Sequence, residues 1–228
     1  MKKIGLLLSG SGVYDGSEIQ ETVFALLAIH EQNADVLFMA PNVEQMHVVN
    51  HLTGEEMQET RNVLYESARI ARGDIEDVAN VNASDIDALV IPGGFGTAKN
   101  HTNWAVKGPD SVINDEVKRL INEVVEAGKP IAALCMGPTT VAKALEGTGK
   151  KAVLTVGTDQ EKSPYDISAI SEGVKSVGMG IAMKSVREVS VDQEMNIVCA
   201  PCYMMEASVL EVRNNIKSAI AEMFKLMN

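Results

Sequence analysis

The chain is short of the residues that would mark it as secreted, nucleic-acid-binding or membrane-spanning. Three cysteines in 228 residues (Cys135, Cys199 and Cys202) are too few for a disulfide framework and point to a reducing compartment. Positive charge is scarce: 20 Lys and Arg against 31 Asp and Glu leave a formal net charge of −11. Such a surface repels phosphate backbones and anionic lipid, and the cations are scattered, so neither nucleic acid nor a membrane is an expected partner. No apolar run approaches the roughly 20 residues of a membrane span. The apolar start over residues 3–8 is too short for a secretory leader and gives way to Ser9-Gly10-Ser11-Gly12, so a cytosolic protein is expected. Histidine is sparse: His30, His47, His51 and His101 all precede Cys135, and none follows it.

What is present alternates. The run over 3–8 predicts a buried first strand, and Ser17 with Gln20 three residues on predicts a capping box. The helix it opens runs to about residue 31 with Val23, Phe24, Leu26, Leu27 and Ile29 as its apolar residues. Further strands are predicted over 35–40, 87–91, 130–134, 152–156 and 196–200. A polar connection occupies 41–60, and helices follow near 60–72 and over 111–127, the latter stopped by Gly128. The C-terminal helix shows Ile216, Ala219, Ile220, Met223, Phe224 and Met227 at helical spacing. This order implies an α/β fold with an open, mostly parallel sheet covered on both faces. Without repeats or linkers, residues 1–228 read as one domain.

Ligands of such sheets bind beyond the carboxyl ends of the strands. There the chain gathers the 9–18 loop, Pro92-Gly93-Gly94-Phe95-Gly96 and Cys135. In Ala133-Leu134-Cys135-Met136-Gly137-Pro138 a strand runs straight into a helix with small residues two before and two after the cysteine, as a strained nucleophile elbow requires. The helix N-terminus after Cys135 is expected to lower the thiol pKa. Backbone amides of Gly93, Gly94 and Met136 are candidates for an oxyanion hole. On spacing alone, Glu18 complements the dipole of the first helix, with a role as general base the alternative. His101 is a candidate base or substrate-binding residue, and Cys202 is a candidate resolving thiol for an oxidised Cys135. His47 and His51 stand at i, i+4 but lack the glutamate of a zinc motif and a third ligand, and Cys199-x-x-Cys202 lacks two further ligands; no metal is expected. Dinucleotide and phosphate-loop motifs fail on their glycines, and no cofactor is expected.

The strand–Cys–helix unit preceded by Pro92-Gly93-Gly94 resembles the PfpI branch of the class I glutamine amidotransferase-like superfamily. Residues 9–18, Asn50-His51-Leu52-Thr53-Gly54-Glu55, Thr60-Arg61-Asn62-Val63-Leu64 and the 92–96 loop resemble the ElbB family, which is isoprenoid-biosynthesis-associated and glyoxalase-like. The resemblance covers essentially the whole chain. It implies a flavodoxin-like three-layer sandwich, a homodimer, a nucleophile at Cys135 and a supporting carboxylate at Glu18. It further implies a glyoxalase III-type reaction, in which a small carbonyl substrate such as methylglyoxal or glyoxal becomes a 2-hydroxy acid without glutathione. Two other roles fit the same thiol: a redox or carbonyl-stress sensor, and an amidotransferase-like accessory protein linked to isoprenoid synthesis. Glutaminases of this superfamily use a histidine downstream of the cysteine; none follows Cys135, so glutamine hydrolysis is not expected.

Overall fold

The computed structural model describes residues 1–227. Its frame is a seven-stranded sheet built from β1 (Lys3–Leu7), β2 (Asp35–Ala40), β3 (Glu76–Asp77), β4 (Ala88–Ile91), β5 (Ile131–Leu134), β8 (Ser190–Asp192) and β9 (Ile197–Ala200). The order is β3-β2-β1-β4-β5-β9-β8, parallel throughout except for β8, which runs antiparallel to β9 at the edge. A separate parallel pair joins β6 (Val153–Leu154) to β7 (Gly180–Ile181). The predicted strand over 152–156 therefore exists but lies outside the main sheet.

Both sheet faces are buried, and the strands show it residue by residue. Ile4, Leu6, Val90, Leu134, Val198 and Ala200 pack on one face, while Leu7, Leu89, Ile91, Ala133, Ile197 and Cys199 pack on the other. The first face is covered by α1 (Ile19–Glu31), α2 (Val63–Ile70) and α7 (Val209–Lys225). The second is covered by α4 (Asp115–Glu126), α5 (Gly137–Leu145) and α6 (Ile167–Ser176), with the short α3 (Trp104–Lys107) beside them. This is the three-layer α/β sandwich with a mostly parallel sheet that the alternation predicts. Cys199, in β9, and Cys202, in the 3-10 turn Cys202–Met204 that follows it, fall in opposite layers.

Two predicted details change. Glu18, not Ser17, caps α1, its side chain accepting the Glu21 amide at 2.6 Å; the Ser17 hydroxyl instead accepts the Ser9 amide at 2.8 Å. The inward face of α1 is Glu21, Thr22, Ala25, Ala28 and Ile29, while Ile19, Val23 and Leu27 are exposed. Small residues face inward because α1 lies close against α7 and the sheet. In α4 the expected stripe holds: Val117, Leu120, Ile121 and Val124 are fully buried, Asn114 caps the amides of Glu116 and Val117, and Gly128 takes φ +67° beyond the end.

Strand order reverses direction between β1 and β4, so their carboxyl ends diverge into a crevice. The 9–18 loop and the 92–96 loop line it, with Cys135 at the end of the neighbouring β5.

Candidate active site

Cys135 adopts φ +55°, a left-handed conformation that a non-glycine residue occupies only under constraint. The constraint is visible. Its amide donates to Ala200 O at 2.9 Å, and α5 begins two residues later with Gly137-Pro138 pressed against β4. The 92–96 loop approaches so closely that a Cβ at Gly93 would stand 2.2 Å from Cys135 Cβ and 2.7 Å from its Sγ. Gly94, at φ +95°, leaves no room either: a Cβ there would meet Glu18 N at 2.4 Å. The elbow and the glycine loop predicted from sequence are therefore one assembly.

The carboxylate paired with the thiol is Glu21, one turn beyond Glu18. It is fully buried, and its side chain hydrogen-bonds Cys135. Oε2 accepts the Gly93 amide at 3.0 Å and Oε1 accepts the Tyr203 amide at 3.2 Å. Burial and the neighbouring Glu18 push its pKa up to about 8, against the smaller opposing pull of those donors. Glu18 is only partly buried and lines the cavity; burial raises its pKa too, so the two carboxyls compete and the deeper one keeps its proton to higher pH.

This geometry corrects three expectations. The thiol pKa is raised rather than lowered, because full burial and the adjacent Glu21 carboxyl outweigh the amides of Gly94 and Met136 that point at the sulfur. Those two amides, aimed at the sulfur, are placed to meet an oxyanion formed beside it; the Gly93 amide is not, since Glu21 holds it. His101 is no base for Cys135. It sits fully buried in the π-helical turn Thr97–His101 with Nε2 bonded to Leu8 O at 2.9 Å, and desolvation drops its pKa to about 4. Cys202 is fully buried behind the elbow, also at positive φ (50°), its amide held by Asn215 Oδ1 at 3.0 Å and its pKa raised well above normal by burial.

Of the remaining histidine pair, His51 is structural. His51 shares its Nδ1 with Val49 O at 3.0 Å, and its Nε2 accepts the Tyr14 amide at 3.2 Å, pinning the 41–60 connection to the 9–18 loop. Among the described residues no cluster of three or more His, Cys, Asp or Glu has the arrangement of a metal site, and no helix is long and apolar enough to cross a membrane.

Above the sulfur lies a cavity of about 230 Å³ bordered by Glu18, Gly94, Met136 and Tyr165 among others. Tyr165 has its pKa raised to about 12 by burial and by nearby Cys135 and Glu21, so its phenol stays protonated and able to donate.

Residues 13–163 match the DJ-1/PfpI family. The chain belongs to this family. It is 42% identical over 98% of its length to the human glutamine amidotransferase-like class 1 domain-containing protein 3, mitochondrial, covering 83% of that protein. It is 41% identical to the rat ES1 protein homolog, mitochondrial, over 98% of this chain and 84% of the relative. An isoprenoid biosynthesis protein with amidotransferase-like domain from Ehrlichia chaffeensis superposes with a TM-score of 0.90 at 32% identity, covering both chains fully. The cytosolic expectation does not stand, because these two relatives are named mitochondrial. Free thiols report a reducing environment, which several compartments share.

Proposed function

We propose that this DJ-1/PfpI-family protein is a glutathione-independent, glyoxalase III-like enzyme of the ElbB group that converts 2-oxoaldehydes to 2-hydroxy acids on Cys135. The observation that carries the reading is the Cys135–Glu21 pair: a thiol on a left-handed elbow, hydrogen-bonded to a buried carboxyl that keeps its proton near neutral pH, at the floor of a largely apolar cavity. Such a pair manages the thiol proton without a histidine.

In the proposed reaction the Cys135 sulfur bonds to the aldehyde carbon while the C=O π pair moves to oxygen. The thiol proton, relayed through the Glu21 carboxyl, ends on that oxygen and gives a hemithioacetal. Glu18, at the cavity wall, takes the proton from the former aldehyde carbon and returns one to the adjacent carbonyl carbon, while the hydroxyl proton of the hemithioacetal passes to the neighbouring carbonyl oxygen. The first carbon is thereby oxidised and the second reduced, leaving a thioester. Water adds to it, the amides of Gly94 and Met136 hold the oxyanion, and sulfur leaves with its proton restored. One water is consumed and no external oxidant enters. The accessory reading draws support from the name of the Ehrlichia relative, which links it to isoprenoid biosynthesis.

The test is 2-hydroxy acid formation from methylglyoxal without glutathione, in the parent and in Cys135→Ala, Glu21→Gln and Glu18→Gln. Loss of about 10²-fold or more in the Cys135 and Glu21 variants supports the reading. Turnover unaffected by Cys135→Ala would sink it.

A further inference from the structure

The chain carries nine Phe, Tyr and Trp residues in 228, yet four of them, Phe95, Trp104, Tyr165 and Tyr203, border the cavity over Cys135. Val13 and Ile170 also line it. Phe95 and Tyr165 meet edge to face with ring centroids 5.8 Å apart, so two of these walls brace each other. Trp104, the chain's single tryptophan, is 6% exposed. No Lys, Arg or His borders the cavity among the described residues. Lys99 lies over the Phe95 ring at 5.5 Å and donates to Tyr14 O at 2.8 Å, without lining the cavity.

A three-carbon oxoaldehyde uses little of this. Its one methyl group buries a fraction of the apolar surface on offer, at roughly 0.8 kcal/mol per carbon. The volume, about 230 Å³, exceeds the roughly 150 Å³ in which an apolar protein cavity takes up benzene. A substrate bearing a carboxylate or phosphate would bring a second negative charge beside Glu18 with no cation to meet it.

We infer that the cavity selects an uncharged carbonyl compound carrying an aromatic or branched apolar substituent about the size of a six-membered ring, with its aldehyde carbon presented to Cys135. The chemistry at sulfur rests on the glyoxalase reading; the cavity's preference does not. Phenylglyoxal stands for the preferred class, methylglyoxal for the small one, and benzoate for a charged ring.

Two measurements separate the claims. The first is kcat/KM for phenylglyoxal against methylglyoxal in the parent, in Trp104→Ala and in Ile170→Phe. The inference expects a ratio of at least tenfold in the parent, which corresponds to about 1.4 kcal/mol, falling in both variants as one wall is removed or the space is filled. The second is Trp104 emission in Cys135→Ala titrated with benzyl alcohol, benzoate and ethanol. It expects a saturable change with benzyl alcohol alone. Saturation by benzyl alcohol with no oxoaldehyde turned over by the parent would keep the cavity inference and remove the glyoxalase reading. Methylglyoxal turned over as well as phenylglyoxal, with no saturable change in emission, would overturn the inference and leave that reading intact. Benzoate binding as well as benzyl alcohol would also overturn it.

Discussion

The amide of Glu21 donates to Glu18 Oε2 at 2.6 Å, and the same helical turn sends the Glu21 side chain inward beside Cys135 while Glu18 stays at the cavity wall. One carboxylate thus fixes the start of the helix that carries the other. In the proposed reaction, their separation into a deep, proton-holding group and a shallower one supplies the acid and the base from a single turn.

Glu21 makes stability pH-dependent in a defined direction. Its folded pKa, about 8, lies above the ordinary value of 4.5, so the contribution is fully present below about pH 4.5 and is lost as pH rises through about 8. Unfolding free energies of the parent from urea titrations should fall across that window, by an amount on the order of a few kcal/mol, relative to Glu21→Gln, whose amide does not titrate. Parallel curves for the two proteins would show that Glu21 is ionised in the native state.

Alkylation of Cys135 should be slow. Burial and Glu21 hold the thiol pKa above normal, so iodoacetamide should react at pH 8 more slowly than with a free cysteine peptide. Glu21→Gln removes the carboxyl and should move the midpoint of the rate profile to lower pH. A parent midpoint near 6 would contradict the geometry. Cys202, fully buried, should stay unmodified in the native protein, as peptide mapping would show.

At Gly93 the expectation is steric. Gly93→Ala places a Cβ 2.2 Å from Cys135 Cβ and 2.6 Å from Glu21 Oε2, so the mutant should lose several kcal/mol of stability and its thiol–carboxyl pair together. Gly54→Ala is the comparison: φ is +76° there, but nothing lies within 4 Å, so only about 1 kcal/mol of backbone strain is expected. Thermal melts of both variants check the contrast; equal melting shifts would refute it.

Much of the fold was legible because buried parallel strands are short apolar runs closed by Gly, Pro or Ser, and 35–40, 87–91 and 196–200 appear within a residue of where those signals put them. The elbow was legible for the same local reason, since Ala133 and Gly137 flank Cys135. Glu21 was not. Helix logic puts large apolar residues inside, but α1 turns Ile19, Val23 and Leu27 outward and buries Ala25, Ala28 and a glutamate. The available signal was that Glu21 is the one charged residue on the face shared with Ala25 and Ala28. Burying a carboxyl makes sense only once the Gly93 and Tyr203 amides are known to meet it, and those partners lie 72 and 182 residues away. The thiol pKa failed for a related reason: a helix N-terminus is visible in sequence, whereas desolvation is not.

His101 gives a last contrast. Its pKa of about 4 lies below the ordinary 6.5, so its contribution to stability is present above about pH 6.5 and lost as pH falls through about 4. His101→Gln should remove that acid-side slope and cost about 1–3 kcal/mol for the bond to Leu8 O. The pH–rate profile should not move; a shifted acidic limb would return this histidine to the active site.

The hydrogen bond from Tyr203 to Glu21 has a consequence for biogenesis. A chain emerging from the ribosome completes the Glu21, Gly93 and Cys135 segments well before the last strand and the turn after it exist, so the carboxyl's second anchor arrives near the end of synthesis. Until β9 docks beside β5, the elbow lacks the Ala200 carbonyl that holds it. Chemistry at the sulfur is therefore a readout of finished folding: a chain ending before the last strand carries every candidate catalytic residue but lacks the Tyr203 amide and the Ala200 carbonyl that hold them.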